Sequence, residues 1–188
     1  MVGNISNFTQ FDVLRAFIAL REKKSRSGLV PELELGEGTL RTILDILKQK
    51  GLTEGTQQGH YLSEKGKTFY NGLEASMSLP ARIMLSRFFQ QYYNVGIILR
   101  KFDEKKKVSY KLRDIAIKNG AEAAMILERN GRLKLLDAEY RGSFDELEQQ
   151  FSMKPGEILV VTSAKTKRWA EISCLAVAAE LNETINLP

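Results

Sequence analysis

Between Gly51 and Ser63 the spacing of apolar residues switches from helical to alternating and back, which limits what the first eighty residues can form. Ahead of the switch, Phe11, Val13, Leu14, Phe17, Ile18 and Leu20 recur near helical spacing across Thr9–Lys23, with Thr9 as N-cap. The polar break Lys23–Gly28 ends that helix. A short second helical piece is expected from Leu29 to Leu33, where Pro31 is tolerated only in a first turn. In the next helix Leu40, Ile43, Leu44 and Leu47 form one apolar stripe, opened by Gly36 and closed by Gly51. Glu37, Thr39, Arg41, Thr42, Asp45 and Lys48 are left on its other face. Leu52-Thr53-Glu54 and His60-Tyr61-Leu62 then read as two short strands around a Gly55–Gly59 turn, and Ser63 opens a helix through Phe69, Tyr70 and Leu73.

Helix, helix, helix, hairpin, helix is the order of a winged helix-turn-helix. Gly59-x-Tyr61-Leu62-Ser63-x-Lys65-Gly66 resembles the wing-to-helix junction of prokaryotic winged-helix regulators, a resemblance covering residues 9–75. In that fold the second helix of the pair enters the major groove and the wing lies along the backbone. The expected partner is therefore double-stranded DNA. Arg41, Thr39 and Thr42, with Glu37 at the same helix start, are candidates for base or phosphate contact. Lys48, Ser25 and Arg26 are candidates for the DNA backbone, and Gln57, Gln58 and His60 sit in the wing. Two features weigh the other way. Arg41 and Asp45 stand at i, i+4 and can form a plain surface ion pair, and the wing carries no lysine or arginine.

Leu79-Pro80 marks a change of texture, giving domains at residues 1–78 and 79–188. Residues 81–93 suit either a helix or a buried strand. Beyond them the expected elements are a strand at Val95–Leu99, a helix at Ser109–Asn119, strands at Ala121–Glu128 and Arg132–Tyr140 joined by Asn130-Gly131, and a helix from a Ser143…Glu146 capping box to Phe151. A strand at Glu157–Thr162 and a long helix at Lys165–Leu181 follow, in which Trp169 and Cys174 read as core. The fold class is thus α/β (α+β), a winged helix followed by a βαββαβ module with a C-terminal helix. The plan is similar to that of the leucine-responsive regulators, in architecture only.

A closer resemblance lies in Leu112-Arg113-Asp114-x-Ala116-Ile117-Lys118-x-Gly120-Ala121-x-x-Ala124, with Pro155-Gly156-Glu157, Ser163-Ala164 and Ala170-Glu171. These resemble archaeal winged-helix regulators with an uncharacterised C-terminal domain. The resemblance implies a one-component regulator and names no ligand; Leu112 stands where that family often has glutamine. For a small anionic effector the candidates are Thr162, Ser163, Lys165 and Lys167 at a strand end opening a helix, and the cluster Arg113, Asp114 and Lys118.

Composition narrows the chemistry. One cysteine and one histidine leave no disulfide framework, no multi-ligand zinc site and no triad within one chain, and no cofactor or metal is implied. Gly66-Lys67-Thr68 imitates a phosphate-binding loop, but Tyr61 stands where its first glycine belongs. An enzyme is not expected. Without a signal peptide or a long apolar run, a cytoplasmic chain away from membranes is. The net charge of +5 divides unevenly: residues 1–79 hold ten Lys/Arg against nine Asp/Glu, and residues 80–188 hold eighteen against fourteen. The reading is a homodimeric DNA-binding regulator with an effector-sensing second domain. The alternatives are a winged helix fused to a small enzyme, or an adaptor for RNA or protein.

Overall fold

The computed structural model describes residues 7–86, 89–136 and 142–188. Two compact units divide the chain, one reaching to Gly72 and joined by Leu187–Pro188, the other spanning Leu73–Asn186. The division falls inside a helix, ahead of the expected boundary.

The first unit contains α1 (Gln10–Ala19), α2 (Arg26–Leu33), α3 (Glu37–Gln49), β1 (Thr53–Thr56), β2 (Gly59–Leu62) and most of α4 (Glu64–Ser76). Thr9 and Asp12 cap α1 reciprocally. The Thr9 hydroxyl accepts from the Asp12 N–H at 3.3 Å, and the Asp12 carboxylate accepts from the Thr9 N–H at 2.9 Å. Asp12 and Arg15 are buried with the apolar residues and pair at 3.2 Å, while Arg15 also donates to the Leu33 carbonyl at 3.0 Å, tying α1 to α2.

Helix α2 begins earlier than its apolar residues suggest, because Ser25 caps it by accepting from the Gly28 N–H at 3.2 Å. Pro31 therefore lies beyond the first turn. Its missing N–H forfeits one helical bond, and the helix ends two residues later with Glu34 at φ 54°. The expected stripe of α3 is buried at all four positions. Its end is a Schellman motif: Gly51, at φ +70°, donates to the Lys48 carbonyl at 2.9 Å, and Leu52 donates to that of Leu47 at 3.0 Å.

Strands β1 and β2 pair from Thr53↔Leu62 to Thr56↔Gly59, so they run further than expected and the turn is Gln57-Gln58 alone. A bridge from Lys24 to His60 adds the α1–α2 connection to this wing. Gly66 explains the imitation of a phosphate loop. A Cβ there would stand 2.0 Å from the Leu52 carbonyl oxygen, so the glycine serves the close approach of α4 to the wing.

In the second unit β3 (Ala81–Ile83), β4 (Tyr93–Leu99), β5 (Ala123–Asn130), β6 (Arg132–Leu135) and β7 (Ile158–Ala164) form an antiparallel sheet in the order β3-β4-β7-β5-β6. Helices α5 (Ser109–Lys118), α6 (Asp145–Gln150) and α7 (Lys167–Leu181) connect or follow them. β7 lies between β4 and β5, and β5 between β6 and β7, so both helical crossovers are split βαβ units. Helices α5 and α7 cover one face, on which Cys174 is fully buried and burial pushes its thiol pKa upward. The other face packs Ile98, Leu127, Leu159 and Val161 against Phe144 and Leu147 around α6.

Several expectations are corrected. Of the span 81–93, open between helix and strand, residues 81–83 are strand and Phe89 stands at φ 52°, while 87–88 lie outside the described residues. The last strand of the hairpin ends at Leu135, with Leu136 already outside it, and residues 137–140 of its expected span lie outside the described residues. The hairpin turns on Gly131 alone, at φ +72°, because Asn130 pairs with Arg132. No Ser143 capping box forms: Phe144 is the N-cap of α6, without a side-chain bond, and the Glu146 carboxylate bonds Ser86 instead. Helix α7 starts at Lys167, where Thr166 caps it by accepting from the Trp169 N–H. Trp169 is 37% exposed rather than core, its ring packed on Gly120, where a Cβ would meet it at 2.7 Å.

Candidate functional site

Burial of Leu40, Ile43, Leu44 and Leu47 turns the opposite side of α3 outward. Glu37, Arg41, Thr42, Asp45 and Lys48 are exposed there, and Thr39 is half-buried. The Thr42 hydroxyl donates to the Gly38 carbonyl at 3.2 Å, which keeps it close to the helix. Arg41 makes no ion pair or side-chain hydrogen bond among the described residues, Asp45 included, so its guanidinium extends from α3 into solvent.

The wing meets two other elements at His60. Reciprocal backbone bonds of 3.0 and 2.8 Å join His60 to Lys24. Burial, then the charge of Arg26, hold the His60 pKa below its ordinary value; Asp45 opposes this and Lys48 adds to it. Charges at the start of α2 and in the C-terminal half of α3 are therefore within electrostatic reach of the wing's imidazole. Ser25 is occupied as a cap, with its hydroxyl 3.1 Å from that of Ser27. At the turn, Gln57 and Gln58 are exposed, and the Gln58 carbonyl accepts from the Lys23 ammonium at 2.8 Å. The wing has no cation of its own, yet one stands at its tip. Lys23 was not among the sequence candidates, because only the Lys24–His60 bridge brings its segment to the wing.

The expected effector residues are not gathered. Thr162 and Ser163 are consecutive in β7 and face opposite sides of the sheet. Thr162 donates to the Ala170 carbonyl at 2.7 Å, and Ser163 to the Asn94 side-chain oxygen at 2.5 Å, both buried. Lys165 reaches Glu122 at 3.6 Å, and Lys167 reaches Glu171 at 3.8 Å. Arg113, Asp114 and Lys118 are exposed on α5. Other cations of this unit are paired as well: Arg100 with Glu157, Lys106 with Glu183, Lys107 with Glu128 and Arg129 with Glu148.

A small, open cleft lies on the α6 side of the second unit. Leu85, Met125, Phe144 and Leu147 line it with apolar surface, and Ser143, Asp145 and Glu146 form its polar part. Leu85 is held between two clamps on α6. The Gln150 amide bonds both the N–H and the C=O of Met84, at 3.0 and 2.8 Å, and Glu146 accepts from the Ser86 N–H at 2.9 Å and from its hydroxyl. Both Glu146 oxygens are taken by Ser86, so Asp145 and Ser143 are the polar groups the rim offers above an apolar body. The signal for this cleft was Glu146, which reads as a capping residue until β3 is placed beside α6. Among the described residues no group of three or more His, Cys, Asp or Glu is placed to hold a metal, and no helix is long and apolar enough to cross a membrane.

Comparison with known proteins follows the same division. Residues 9–68 match the PH0730-like N-terminal domain, and residues 90–181 match a domain of unknown function, DUF4443. The chain thus combines matches to two domain families. The hypothetical protein PH0730 from Pyrococcus horikoshii OT3 is similar over 94% of both chains, with 28% identity and a TM-score of 0.78. No curated protein matches.

Proposed function

We propose that this chain is a dimeric DNA-binding transcriptional regulator whose second unit takes a small effector. The observation that carries the reading is the outward face of α3, where Arg41 extends unpaired between Thr39 and Thr42, about two turns ahead of Lys48. A guanidinium in that position can bond a guanine edge bidentately, which is worth about 1–3 kcal/mol of discrimination. Lys23 beside Gln58 supplies the wing with a phosphate contact, and Ser25, Arg26 and His60 border the same side. The effector reading rests on the cleft rather than on Thr162–Lys167, whose hydroxyls are spent on β4 and α7. A bound effector shifts DNA affinity only by its preference for one of the two forms.

The test is selection of duplex fragments by the full chain at low salt, with RNA as competitor. A recovered sequence should lose about tenfold or more in affinity with Arg41→Ala, as expected for one lost bidentate contact. Retention of no duplex sequence, or preference for the RNA competitor, refutes the reading.

A further inference from the structure

Helix α5 presents to solvent a face that its own chain leaves unused. Tyr110 is 56% exposed and Ile117 is 49% exposed, two of the four large apolar residues exposed to that degree among the described residues. They stand seven positions apart, hence nearly in line after two turns. At about 100° per residue, Arg113 lies about 50° to one side of that line and Asp114 about 50° to the other. Both are exposed, and neither makes an ion pair or side-chain hydrogen bond among the described residues. Trp169, packed on Gly120 just beyond the end of α5, adds a third exposed apolar group at that end. The inward side of the helix, with Ser109, Leu112 and Ala116, is buried, so this face is fixed outward.

We infer that the Tyr110–Arg113–Asp114–Ile117 face of α5 is where two copies of this chain associate about a twofold axis. A twofold contact is self-complementary: the same patch meets itself. Two arrangements of the helices are open to it, and the charges choose between them. An axis across α5 reverses one copy, which sets Arg113 against Arg113 and Asp114 against Asp114. An axis along α5 runs the two helices the same way, which sets each Arg113 beside the partner's Asp114, twice. Tyr110 then meets Tyr110, and Ile117 meets Ile117. The second arrangement buries the apolar line and pairs both charges, so it is the one assigned. This surface deepens the dimer included in the proposed function, but it rests on α5 alone and holds whether or not the chain binds DNA.

The test is sedimentation velocity of the full chain, without DNA, from low micromolar to hundreds of micromolar. A reversible dimer is expected. Arg113→Asp should raise its dissociation constant about tenfold or more, because two pairs become repulsions at once. The double variant Arg113→Asp, Asp114→Arg should recover it, which a merely misfolded variant cannot do. Orientation is read by disulfide trapping, since the one native thiol, Cys174, is fully buried. Ile117→Cys should oxidise to a linked dimer, and a mixture of Tyr110→Cys with Ile117→Cys should yield few mixed products. A chain monomeric throughout, a charge swap that does not recover association, or mixed products in excess each overturns the assignment.

Discussion

Replacing Asp12 by alanine isolates the largest electrostatic commitment in the winged unit. The Asp12 carboxylate is fully buried and does two things there: it caps α1 through Thr9, and it faces the Arg15 guanidinium at 3.2 Å. Arg15 is itself only 3% exposed and also holds the Leu33 carbonyl, so it cannot swing to water without giving up the α1–α2 junction. Removing the anion breaks a buried ion pair, which costs up to about 3–5 kcal/mol. The lost cap adds about 1 kcal/mol. A unit of this size has a total stability of roughly 4–11 kcal/mol at the usual per-residue values, so most of it disappears. Urea unfolding followed by far-ultraviolet ellipticity should show a transition moved down by about 2 M or more, given m-values near 1–3 kcal/mol/M. The single tryptophan, Trp169, lies in the second unit and reports that unit separately. Combining Asp12→Ala with Arg15→Met removes both charges, and should restore all but the cap and the Leu33 contact. A midpoint moved by less than about 0.5 M, or a double variant no better than the single one, refutes the buried-pair argument.

Two further predictions concern the wing. Lys23→Ala should lower the slope of log affinity against log salt by about one, as expected for one phosphate contact, while leaving sequence preference intact; an unchanged slope removes Lys23 from the interface. His60 has a depressed folded-state pKa against an ordinary value of 6.5, so the unfolded chain takes up the proton first as pH falls. Its contribution to stability is complete above about pH 7 and is lost as pH drops through 6.5 toward the folded value; His60→Asn should flatten that part of the urea-midpoint profile. A nearby phosphate would favour the imidazolium, so affinity for the selected duplex should rise from pH 7 to pH 5.5 in the native chain and not in His60→Asn.

How far the sequence could be read follows from the range over which its signals act. The α3 stripe, the Thr9 cap and the Gly51 stop were legible because each is decided within one or two turns of the chain. Helix α2 was read too short because a cap, Ser25, sets its start while its few apolar residues cluster near its end. Glu146 differs for a comparable reason: Ser143-x-x-Glu146 is a valid local pattern, but Ser86 offers two donors from the segment after β3, far away in sequence. The same holds for Thr162 and Ser163. Their position at a strand end suggested a ligand, and only the sheet register shows Asn94 beside one and α7 beneath the other.

The charge surplus shows why a sum along the chain is a weak guide to a surface. The second half holds the larger basic excess, yet Arg100, Lys106, Lys107, Arg129, Lys165 and Lys167 each reach a glutamate. Exposed pairs of this kind contribute little stability, but they do cancel the field that an anionic partner would feel. The first unit is nearly neutral by count, and it is there that Arg41 extends unpaired and Lys23 is carried to the wing tip. Placement therefore qualifies the expectation from composition: part of the second unit's excess is neutralised locally, while the small excess of the first still leaves Arg41 on the face of α3 and Lys23 at the wing. A DNA complex built on them should rest on few phosphate contacts, with a shallow dependence on salt and discrimination concentrated in Arg41. A steep salt dependence that survives the loss of both Arg41 and Lys23 would mean that the nucleic acid is held by another surface.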